Sequence, residues 1–116
     1  MEIRTEQDII TFIESGEERP EFDYKDDIDL AGGKKVKAEI AKDIIAMANY
    51  GGGLIVGGVK ETPSGYAWEG MPQGSLTAFD STALNDFVKN YCAPPINTTT
   101  RKIDIDGKVY GAVVVP

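Results

Sequence analysis

Residues 37–59 read KAEIAKDIIAMANYGGGLIVGGV, and this one stretch decides the class of the fold. Ile40, Ala41, Ile44, Ile45 and Ala48 recur at the spacing of one helix face, with Lys37, Lys42 and Asp43 mostly off it. The small side chains of Ala41, Ala46 and Ala48 let such a helix lie close to a sheet. Asn49 or a glycine after it can take the left-handed conformation that closes a helix. Gly51, Gly52 and Gly53 then allow a sharp return of the chain. The branched apolar run from Leu54 to Val59, bounded by glycine, has the pattern of a strand buried on both faces. The stretch predicts a helix over about 36–48 and a strand over 54–59.

Upstream, Thr5-Glu6-Gln7-Asp8 has a capping Thr with an acid three residues on, and Ile9, Ile10, Phe12 and Ile13 supply a helical apolar face before Gly16. A helix over 5–15 follows. From Glu18 to Lys25 the pattern alternates, with Phe22 and Tyr24 on one side and Glu21, Asp23 and Lys25 on the other, as in a half-buried strand. The charged segment from Asp26 to Lys35, with its glycines, predicts a mobile loop.

Downstream, Thr62-Pro63-Ser64-Gly65 marks a turn and Tyr66-Ala67-Trp68 a short strand. A helix over Asp80–Tyr91 would turn Leu84, Phe87, Val88 and Tyr91 inward, and Pro94-Pro95 would end that segment. Strands over Thr98–Ile105 and Lys108–Val115 flank Asp106-Gly107, a strong hairpin signal. The order α-β-α-β-β-α-β-β describes a single α+β domain over residues 1–116, a mixed sheet packed with helices. The strand-like ending at Val113-Val114-Val115 suggests the N-terminal part of a longer protein with a downstream domain.

Composition narrows the chemistry. The chain of 116 residues has no histidine and one cysteine, which excludes an internal disulfide, histidine catalysis and cysteine or histidine metal clusters. Cys92 reads as a small buried apolar residue. No apolar stretch approaches the roughly 20 residues of a membrane helix, and no signal peptide opens the chain, so the expected compartment is the cytoplasm and no membrane partner is expected.

With 19 acids against 12 bases the net charge is −7, unfavourable for binding nucleic acid through charge alone. The basic run Lys34, Lys35 and Lys37 after Gly32-Gly33 either meets phosphate or is a solvated entry to the helix, the simpler reading. Arg101 and Lys102 carry the same two readings on a strand. The glycines at 51–53 follow a helix, at its negative end, and so read as a structural motif with Asn49 and not as a phosphate cradle. Tyr50, Tyr66 and Trp68 either stack on bases or pack in the core or its rim.

Three stretches together resemble the Schlafen-type AlbA-like domain, described as DNA-binding in bacterial regulators and found also in Schlafen proteins. They are Glu18-Arg19-Pro20-Glu21-Phe22-Asp23-Tyr24-Lys25, the segment from Ile40 to Asn49 with Gly51-Gly52-Gly53, and Leu54-Ile55-Val56-Gly57-Gly58-Val59. The resemblance covers residues 18 to 116 and implies a module that binds DNA or RNA, in a transcriptional-regulator-like or ATPase-like protein. In Schlafen members it implies a metal-dependent endonuclease with three acids, here Glu18, Asp23 and Glu61 by position, holding Mg²⁺ or Mn²⁺. Asp23 stands where the family often has Glu, and Lys60-Glu61 where its metal-site members have paired aspartates.

Alternation would place Lys25 beside Asp23, where it can stabilise developing negative charge. Glu18 and Asp23 have opposite parity on a regular strand, so joining them requires a bend near Pro20. Three functions therefore stand side by side: a nucleic-acid-binding module without catalysis or cofactor, a metal-dependent nuclease, and a protein-interaction domain, homodimeric or otherwise.

Overall fold

Thr5 opens the first helix by a reciprocal cap. Its hydroxyl accepts from the Asp8 N–H at 3.2 Å, and the Asp8 carboxylate accepts from the Thr5 N–H at 3.0 Å. Helix α1 (Glu6–Ser15) buries Ile9 and Ile13 and ends at Gly16 in the left-handed conformation. The computed structural model describes residues 5–91 and 96–116. The readings of Cys92 and Pro94-Pro95 lie outside these residues.

After α1 come β1 (Phe22–Lys25), α2 (Lys34–Tyr50), β2 (Gly53–Gly57), β3 (Val59–Thr62) and β4 (Gly65–Trp68). Helices α3 (Gln73–Ala78) and α4 (Ser81–Val88) follow, then β5 (Thr99–Ile105) and β6 (Lys108–Val115). The main sheet has the order β1-β2-β6-β5; β1 pairs parallel with β2 and the other pairs are antiparallel. Joining parallel neighbours requires a long crossover, and α2 supplies it. The class is α+β with a mixed sheet. No helix among the described residues is long and apolar enough to cross a membrane.

Strand β2 is buried along its whole length because both faces of the sheet are covered. Leu54 and Val56 pack with Ile9 and Ile13 of α1, whereas Ile55 packs with Ile44 and Met47 of α2 and Leu84 and Val88 of α4. At the tip of the β5–β6 hairpin, Asp106 and Gly107 have φ of 55° and 81°, the two positive values of a tight turn.

The structure revises several boundaries. The run 54–59 is not one strand: at Gly58, with φ of 108°, the chain leaves the main sheet and enters the separate β3–β4 hairpin. A Cβ there would lie 2.7 Å from the Gly70 backbone, and the Gly58 oxygen accepts from the N–H groups of Glu69 and Gly70. Only glycine permits that approach. The strand expected over 18–25 starts at Phe22, and α3 is an additional short helix.

The segment expected as a mobile loop does not hang free. Ile28 and Leu30 are buried in the core, and the Ser75 hydroxyl donates to Asp27 at 2.7 Å. Lys34 and Lys35 belong to the first turn of α2, not to the loop, and the helix continues to Tyr50. Helix α4 ends at Val88, so Tyr91 lies beyond it and is 48% exposed instead of inward.

Candidate functional site

The bend that unites Glu18 with β1 is a tight turn over residues 19–22, in which Arg19 and Phe22 exchange two 2.9 Å backbone hydrogen bonds. Proline presets the first central position of such a turn, and Pro20 stands there. The chain folds back far enough for the Glu18 carboxylate to accept from the Tyr24 N–H at 3.1 Å. Glu18 thus satisfies a backbone donor of an edge strand.

Alternation along β1 sends Phe22 and Tyr24 into the core and leaves Asp23 and Lys25 half-buried on the opposite side. The Lys25 ammonium lies 3.0 Å from Asp23 and 2.7 Å from Asp43 of α2, so one lysine ties the strand edge to the helix. A cavity of about 570 Å³ adjoins this bridge, lined by Glu18, Arg19, Asp23, Asp43 and Tyr50 among others.

The charges here are mutually adjusted. Burial pushes the Asp23 carboxyl above its ordinary value; Lys25 pulls it down, and the neighbouring Glu18 raises it again. Burial alone would lower Lys25, but hydrogen bonds to Asp43 and Asp23 outweigh it and hold the ammonium above its ordinary value. Between an aspartate's ordinary 3.8 and the folded value, the folded chain retains a proton that the unfolded chain has lost. Asp23 therefore contributes less to stability as pH rises through that window. The Lys25 contribution is complete below 10.5 and is lost as pH rises through its folded value. Carboxyl carbon NMR is expected to place the Asp23 midpoint above 3.8 and to move it further up in Lys25→Met. A downward shift in that variant would contradict the arrangement.

Glu61 lies on β3, across from Tyr66 of β4. The Tyr66 hydroxyl is held above its ordinary value by burial and then by the charges of Glu18, Glu61 and Asp23. The three acids do not fit a metal ion as placed. Among the described residues, no three His, Cys, Asp or Glu side chains form a group able to hold one, and the Asp23 carboxylate is engaged by Lys25. Divalent magnesium and manganese require several oxygen ligands converging on one point.

Tyr66 carried no site signal beyond its aromatic ring, since its position depends on pairing between two later strands. Tyr66 and Trp68 each meet Tyr24 edge-on, at ring-centroid distances of 5.1 and 5.4 Å, as part of a packed aromatic cluster. Tyr50, by contrast, is 61% exposed.

The basic residues divide into two places. Lys34, Lys35 and Lys37 occupy the start of α2, where no acid lies in the first turn and no side chain caps the helix. Among the described residues none of the three has an ion-pair partner. Lys37 instead sits 6.0 Å above the Phe87 ring. Arg101 and Lys102 are exposed on edge strand β5, where alternation sends them to opposite faces of the sheet.

At the other end of α2, the Gly51 and Gly52 N–H groups donate to the carbonyls of Ala48 and Met47 at 3.1 and 2.9 Å. These two donors close the helix.

The model of the family described as Schlafen, AlbA_2 matches residues 18–116. No curated protein matches the chain. Among solved structures, the chain is similar to the N-terminal domain of an ATP-dependent DNA helicase RecG-related protein from Nitrosomonas europaea, determined by solution NMR. The TM-score is 0.54 and the identity 21%, covering 98% of this chain and 74% of the other. That likeness is one of fold.

Proposed function

The chain belongs to the Schlafen AlbA_2 family, and from this we propose that it is a nucleic-acid-binding module whose contact surface is the first turn of α2. The observation that carries the reading is the concentration of Lys34, Lys35 and Lys37, without ion-pair partners among the described residues, at the positive end of a 17-residue helix. Backbone N–H groups at such an end are ready to meet phosphate oxygens, and the helix dipole adds to the lysine charge. The description of the NMR neighbour as DNA helicase RecG-related lends the reading further support.

The net charge of −7 shapes the expected behaviour. The acidic remainder of the surface repels a polyanion, so contact is confined to this turn and is sensitive to salt. Arg101 and Lys102 lie outside the proposed surface because they do not share a face. The Asp23–Lys25–Asp43 bridge serves to join β1 to α2 in this account.

Fluorescence anisotropy with labelled single-stranded DNA, single-stranded RNA and duplex DNA tests the proposal. Binding is expected at about 50 mM salt, with log affinity falling against log salt at a slope of about −2 to −3, as about three phosphate contacts require. No binding to any of the three at that salt concentration would overturn it.

A further inference from the structure

The opposite face of the sheet carries a second cavity, of about 480 Å³, between the end of α1, strand β4 and the β5–β6 hairpin. Ile13, Ile105, Trp68 and Tyr110 form its walls, and Glu14 and Asp106 add carboxylates. This volume lies within the range of small-ligand pockets.

Four observations bear on what would enter it. Neither the Glu14 nor the Asp106 carboxylate makes an ion pair or a hydrogen bond within the described residues. The cavity adjoins the C-terminal end of α1, where the helix dipole is negative and the last turn has no basic residue to offset it. Trp68, only partly buried, provides an aromatic surface, to which cations are attracted.

The fourth is Tyr110, only 3% exposed, whose hydroxyl has no hydrogen-bond partner among the described residues. No fully buried side-chain oxygen or nitrogen among these residues lacks a partner, so this hydroxyl belongs to the small part of Tyr110 that remains accessible beside the cavity. A phenolic oxygen can accept as well as donate. Lys108 also lines the cavity, but its ammonium donates to the Trp68 carbonyl at 2.8 Å.

We infer that this cavity is a binding site for a guanidinium group on an alkyl arm, held between the Glu14 and Asp106 carboxylates, the Tyr110 hydroxyl and the Trp68 ring. A guanidinium is flat, stacks on aromatic rings and offers several donors at fixed angles, which suits this set better than a compact ammonium. The cavity has room for the arm as well as its charged head. The source is either a free small molecule or an arginine side chain presented by a peptide.

Trp68 is the sole tryptophan, so its fluorescence reports occupancy directly. Agmatine and an amide-capped Gly-Arg-Gly peptide would be titrated separately, with butylurea as the uncharged counterpart. Saturable changes are expected with agmatine or the peptide and not with butylurea; the tighter of the two identifies the source. Glu14→Gln combined with Asp106→Asn is expected to weaken binding about tenfold or more, and Tyr110→Phe about threefold. Lys108→Gln is expected to tighten it, by removing a like charge.

The Lys34→Glu, Lys35→Glu double variant is expected to bind agmatine as the parent does, which separates this inference from the nucleic-acid proposal. No saturable response to either cation, an equal response to butylurea, or unchanged affinity in the two-carboxylate variant with a normal melting curve would overturn it.

Discussion

Replacing Gly52 with alanine is expected to destabilise the domain by about 3 kcal/mol, from left-handed strain of about 1–2 kcal/mol and overpacking of about 1–3 kcal/mol. Gly52 has φ of 94° and lies where α2 has ended and β2 is about to begin. A Cβ there would stand 2.7 Å from the Val115 carbonyl oxygen and 2.8 Å from the Pro116 carbonyl carbon. Both are backbone atoms, so no side chain can rotate aside to make room.

Gly51 provides the comparison. Its φ is 123°, but nothing lies within 4 Å of the same added atom, so Gly51→Ala meets backbone strain alone and is expected to cost about 1–2 kcal/mol. Thermal unfolding followed by circular dichroism should show Gly52→Ala melting about 10 °C or more below the parent, with Gly51→Ala between them. Equal melting temperatures for the two variants would contradict the packing described at Gly52.

The second large effect concerns binding. Lys34→Glu combined with Lys35→Glu is expected to reduce oligonucleotide affinity about thirtyfold or more at low salt, since two attractive contacts become repulsive. The fold should not suffer, because acids at the start of a helix interact favourably with its dipole. The expected signature is lost binding with unchanged or slightly raised thermal stability. Arg101→Glu combined with Lys102→Glu should alter affinity far less, because those side chains leave β5 on opposite faces. A larger loss from the β5 pair than from the α2 pair would move the interface to the sheet edge.

Much of this architecture is legible where the interactions are local. The Thr5 cap, the inward alternation of Phe22 and Tyr24, the apolar stripe of α2 and the Asp106-Gly107 turn all follow from neighbours within a few positions. The break at Gly58 is different, because its cause is the approach of Gly70 from another part of the chain. Ile28 and Leu30 left a readable signal, two large apolar side chains in an acidic segment, but glycine and charge suggested a loop free of the core.

The candidate site follows the same division. The shared side of Asp23 and Lys25 and the need for a bend near Pro20 come from parity. Asp43 as the second partner of Lys25, and the charges acting on Tyr66, depend on how a helix and a hairpin come to rest against β1. The Tyr110 hydroxyl, without a hydrogen-bond partner among the described residues, has no local signature at all. It depends on the end of α1, β4 and the last hairpin surrounding one space.

The central claim is that nucleic acid is met at the first turn of α2, and backbone amide NMR tests it most directly. A nitrogen-15-labelled domain titrated with single-stranded oligonucleotide at low salt is predicted to show its largest shift changes at Lys34, Lys35, Val36 and Lys37, fading as salt is added. Changes centred on the cavity beside Asp23 or on β5, with the first turn of α2 unmoved, would contradict it.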